Sequence, residues 1–190
     1  MGKISLIVLT NLLFIFFSIP IVTIGASYTA MCHVMLKSLK SDDEVNPVTE
    51  FWVGFKNNFK QATLCWTGAV ILLFFGYLDL SWISQIGGIF IYLNVPIATI
   101  MVLEIAGLLY LFPTIAAYHN SIPNLIKAAF YYLMKMPAIA VMIGLGNTLP
   151  LAMLILDQVY QPAYVFGFFF FGFSLITMVS MKLISKPFYD

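Results

Sequence analysis

The chain reads as an all-α, polytopic membrane protein, and three observations predict that class. Apolar residues make up 62% of its 190 positions and charged residues 9%, where a soluble domain carries about 25% charged residues. It holds 18 Phe, 10 Tyr and 3 Trp, which excludes disorder, a state poor in aromatics and rich in charge. Apolar stretches of about 20 residues recur along it, the length a helix needs to cross ~30 Å of hydrocarbon. A net charge of +1 supplies no field for nucleic acid. The primary partner is therefore the lipid bilayer.

Taken in order, spans are expected over about 4–20, 24–39, 63–80, 95–118, 136–156 and 163–184. The second is the ambiguous one: residues 25–39 are short for a crossing and follow a break at Pro20 and Gly25. Lysine placement arbitrates, because loops rich in Lys or Arg stay in the cytoplasm. Lys37, Lys40, Lys56 and Lys60 flank one hydrophilic loop, Lys127 and Lys135 another, and Lys182 and Lys186 follow the last span. The alternate loops hold Asp79 and Asp157 and no lysine. That pattern predicts a cytoplasmic C-terminus. Keeping Lys3 inside as well requires six spans, with 4–39 crossing as a tight hairpin. Five spans would leave Lys3 outside, and a shallow re-entrant helix over 25–39 lies between the two. The apolar run after Lys3 exceeds the ~7–15 residues of a signal-peptide core and more apolar sequence follows it, so an uncleaved first span is expected.

Between the second and third spans, Ser41–Pro47 reads as a solvated turn leading into a helix over about 47–61. Asn46 suits the N-cap, Pro47 the first helical position and Glu50 the positive end of the dipole. Val48, Phe51, Trp52, Phe55 and Phe59 then recur at i, i+3, i+4, i+7 and i+11, with Lys56, Asn57, Lys60 and Gln61 largely opposite. An aromatic face backed by lysines describes a helix in the cytoplasmic interface, either an anchor for the next span or a docking surface for a partner or anionic headgroups.

Glu104 stands mid-span, where an ionised carboxylate costs about 2.5–3.5 kcal/mol on insertion scales. A protonated form hydrogen-bonded to a neighbouring helix is cheaper, and Asn11, Tyr28, Thr29 and Asn147 are the candidate partners. The group is either a proton- or substrate-binding carboxylate or a packing contact. Pro20, Pro96, Pro113 and Pro150 are read as kinks, since no internal repeat pairs two broken helices. No catalytic constellation, phosphate loop or clustered metal ligands occur, and Cys32 and Cys65 are far apart in apolar surroundings. No enzyme activity, metal or cofactor is expected.

Asn11-Leu12-Leu13, the run from Ser18 to Ala26 (SIPIVTIGA), Thr29-Ala30-Met31 and the run from Phe55 to Thr63 (FKNNFKQAT) resemble the YesL-like family of bacterial integral membrane proteins, a domain of unknown function. Tyr110-Leu111-Phe112-Pro113, with Asn120-Ser121 beyond it, is similar to a later landmark of that family. The latter third agrees only in hydropathy. Members often start with a longer polar segment and use Arg among their basic positions, whereas this chain uses only Lys. The resemblance implies a multi-pass protein of the bacterial cytoplasmic membrane, accessory or regulatory to carbohydrate import of the ABC type, with importer permease subunits or further copies of itself as partners. A small transporter or channel built around Glu104 is the alternative.

Overall fold

The computed structural model describes residues 2–41, 44–156 and 160–189. Asp42 and Asp43 of the acidic turn, and Asp157 of the loop expected outside, lie beyond the described residues. Helices account for nearly all of the rest, and no strand occurs among the described residues.

Helix α1 (Lys3–Ser18) stops where Pro20 removes a backbone donor. A short 3-10 turn at Ile21–Thr23 follows, and the Thr23 hydroxyl donates to the carbonyls of Phe17 (2.6 Å) and Pro20 (2.7 Å). Helix α2 (Ile24–Lys40) then runs back through the centre of the fold, against α1. Its first two turns are built of small residues: Gly25, Ala26, Ser27, Thr29 and Ala30 are all buried. Small side chains let neighbouring helices approach closely where the hydrophobic effect between them is weak.

Helix α3 (Pro47–Ile86) is 40 residues long, or about 60 Å at 1.5 Å per residue. Asn46 caps its start, its side-chain oxygen accepting from the backbone N–H of Val48 (3.1 Å) and Thr49 (3.4 Å). The helix ends at Gly87 and Gly88, both at positive φ, a conformation that glycine adopts without Cβ strain. A 3-10 segment, Gly88–Leu93, turns the chain into α4 (Asn94–Ala117), which returns along α3 with Met101 beside Gly76. Helices α5 (Ile122–Lys135) and α6 (Pro137–Leu156) meet at 97°. Helix α7 (Gln161–Gly167) passes through a π-turn at Phe168–Gly172 into α8 (Phe173–Tyr189).

Two expectations are met only in part. Among the described residues, three helices are long and apolar enough to cross a membrane, or four if α5 and α6 are one bent span. The first two expected spans are shorter, α1 with 16 residues and α2 with 17, about 25 Å against a ~30 Å core. The amphipathic segment 47–61 is also no separate element. The sequence from Lys56 to Trp66 contains no Gly or Pro, so nothing stops the helix before the apolar stretch, and both parts form α3.

The molecule thus divides into two regions. In the body, α2 packs against α1, α4, α8 and the first half of α3, burying Met31, Met35, Phe51, Tyr110, Ile115 and Met181 almost completely. The arm consists of α3 beyond Trp66 with the first half of α4. Ala69 is the one buried residue of α3 in this stretch.

Candidate functional site

The polar groups expected to share an intramembrane site are distributed over three places. The first is a seam between α1, α2 and α8. Asn11, fully buried, donates through Nδ2 to the carbonyls of Phe168 (2.9 Å) and Phe169 (2.7 Å), and its Oδ1 accepts from the Ser174 N–H (2.9 Å). A π-turn leaves backbone groups that an α-helix would pair internally. Asn11 satisfies three of them at once, which fixes where α1 meets the break between α7 and α8. Tyr28 lies in the same seam, beside Thr177 and edge-on to Phe112. The Ser174 hydroxyl reaches Met31 Sδ at 3.5 Å.

The second place is the packed surface between α2 and α3. Lys37 Nζ lies 2.7 Å from Glu50 Oε1, and His33 Nε2 lies 3.5 Å from Glu50 Oε2. His33 and Lys37 stand one turn apart on α2 and face the first turn of α3. Two contacts set this register. A Cβ at Gly54 would come within 2.9 Å of His33 Cβ, and one at Gly25 within 2.6 Å of Trp66 Cβ. At the far end of α2, Trp66 Nε1 donates to the Ile21 carbonyl (2.8 Å), tying the α1–α2 turn to α3.

Glu104 is the third place, and it stands apart from the candidate partners read from the sequence. It is half-buried on the arm, on the α4 face that carries Ile97, Met101 and Leu108. Its carboxyl has no hydrogen bond or ion pair among the described residues. Asn11 is engaged by the π-turn, and Tyr28 lies beside Thr177. Asn147 donates to the Ile143 carbonyl of its own helix (2.8 Å), and Thr29 likewise bonds its own helix, at Gly25 (2.8 Å). The expected cluster therefore separates: Asn11, Thr29 and Asn147 donate to backbone carbonyls, and Tyr28 lies beside Thr177.

The aromatic stripe is not one outward surface either. Phe51 and Phe55 are buried, packing on Phe17 of α1 at ring-centroid distances of 5.6 and 5.0 Å. Trp52 and Phe59 remain exposed, as do Lys56 and Lys60. An apolar depression of about 290 Å³ opens beside Phe55, lined by Phe16, Phe17, Ile19, Pro20 and Thr23. No group of three His, Cys, Asp or Glu stands together among the described residues.

Sequence reading missed His33 and Lys37 as partners of Glu50, although their i, i+4 spacing places them on one face. It missed Asn11 as a latch because a run of four Phe and a Gly carries no sign of a π-turn. It also missed α5, whose period was visible in Leu125, Ala129 and Leu133.

No curated protein and no solved structure matches the chain. Residues 7–80, which cover most of α1, all of α2 and α3 as far as Leu80, match the model of a family described as a protein of unknown function, DUF624. The YesL-like proteins belong to that family, so this match and the resemblance agree, and over residues 7–80 the chain carries the DUF624 signature.

Proposed function

We propose that the chain is a non-enzymatic membrane protein that works by assembling with other membrane helices, as an accessory or regulator of ABC-type carbohydrate import. The observation that carries this reading is the arm. Phe74, Phe75, Trp82, Ile100, Val102 and Ile105 are all exposed, so the arm offers two antiparallel helices whose apolar faces no described residue covers. Gly68 adds a notch, since a Cβ there would meet nothing within 4 Å, and small residues are the usual contact points between membrane helices. The link to sugar import rests on the family resemblance. The family resemblance supports a bacterial cytoplasmic membrane and lysine placement supports both termini inside, and six crossings would follow if the short α1–α2 pair spans a locally thinned bilayer.

The test is co-expression with the permease subunits of a carbohydrate importer. A stoichiometric complex that Gly68→Leu disrupts without unfolding the chain supports the reading. Its absence, together with sugar flux through liposomes holding this chain alone, overturns it. A second reading has one observation in its favour: the unpartnered Glu104 carboxyl suits a transporter, and flux abolished by Glu104→Gln would select it.

A further inference from the structure

We propose that α5 lies flat on the membrane surface and that its lysines hold the headgroups of anionic lipids. The inference goes beyond the accessory role and holds whichever partner the arm meets. It starts from the three sectors of α5. Leu125, Ala129 and Leu133 are buried at i, i+4 and i+8. Ile126, Phe130 and Met134 repeat that spacing one position later and are exposed, Met134 by 65%. Lys127, Tyr131 and Lys135 repeat it once more and are exposed as well. An exposed apolar strip running beside a lysine strip has no use in water and no full match in hydrocarbon. It suits the boundary, where apolar side chains enter the acyl region and lysines reach back to phosphate.

Orientation comes from a separate observation. Helix α6 is an apolar 20-residue helix, and α5 meets it at 97°. When α6 crosses the bilayer, α5 runs parallel to its surface. Charge then selects the lipid. Residues 122–135 contain no Asp or Glu, and neither Lys127 nor Lys135 has an ion pair among the described residues. Lys135 only leans over the Tyr131 ring, 5.8 Å from its centroid. Unneutralised lysines at that depth complement an anionic leaflet, with an expected preference of about fivefold per lysine.

The full chain, reconstituted in phosphatidylcholine vesicles with about a third phosphatidylglycerol, provides the test. Two readouts are needed: the selectivity for spin-labelled phosphatidylglycerol over phosphatidylcholine, and the depth of a fluorophore on Tyr131→Cys in a chain lacking Cys32 and Cys65. The expected result is quenching of the fluorophore by headgroup-level nitroxides and a severalfold selectivity. Lys127→Gln/Lys135→Gln should bring that selectivity close to unity, and Lys127→Arg/Lys135→Arg should keep it. A water-exposed fluorophore overturns the proposal. So does a selectivity that is absent from the start, or one that survives Lys127→Gln/Lys135→Gln and disappears with Lys56→Gln/Lys60→Gln.

Discussion

The body and the arm share an apolar composition and treat it differently. In the body, helices close on one another through glycine, alanine and hydroxyl residues, and the buried amide of Asn11 makes three hydrogen bonds. In the arm, two helices touch along one seam, their outer faces stay bare, and Glu104 has no partner among the described residues. Apolar sequence therefore does not by itself make a core. The body is folded against itself, whereas the arm is built for surroundings that other molecules supply.

The largest expected effect tests the close packing. Gly25→Ala places a Cβ 2.6 Å from Trp66 Cβ and 2.7 Å from the Ala62 carbonyl oxygen. Backbone must shift to make room, so a loss of roughly 2–3 kcal/mol is expected in detergent unfolding experiments. Gly68→Ala on the arm meets open space, and should be neutral or gain up to about 1 kcal/mol from helix propensity. Equal losses at the two sites would erase the distinction between the regions.

Next in size is the Asn11 latch. Asn11→Leu leaves two carbonyls and one N–H without partners, and we expect a loss of about 2 kcal/mol in the same assay. Asn147→Leu removes only a bond to its own helix and should cost less than about 0.5 kcal/mol. Comparable losses would show that α1 is not held by the π-turn.

The sequence made some of this legible and concealed the rest. The start of α3 could be read directly, because Asn46, Pro47 and Glu50 are local signals whose meaning does not depend on distant residues. The turn around Pro20 was legible for the same reason. The junction of the amphipathic segment with the next span was not, since a change of surroundings along a helix leaves no break in its backbone. Asn11 and Phe168 are 157 positions apart, and no periodicity links them. Glu104 drew notice because it is charged, and its lack of a partner emerged only once the other polar groups were placed.

Smaller effects sharpen the comparison. Glu50→Gln should cost about 0.5–1 kcal/mol, and a double-mutant cycle with Lys37→Gln should recover a coupling that fades at high salt. Glu104→Gln should leave stability unchanged within roughly 0.5 kcal/mol, since no bond is lost. Under the accessory reading it should also leave complex formation with importer permeases unchanged.

The π-turn at Phe168–Gly172 has one more consequence. A π-turn winds one residue more into each hydrogen-bonded ring than an α-helix does. Removing a single residue there would let the coil relax to regular pitch, at the expense of the bonds to Asn11 but with α7 and α8 keeping nearly the same rotation about the helix axis. This stretch is therefore where the chain should best survive a one-residue deletion, whereas in α2 the same deletion would rotate half the packed face out of register.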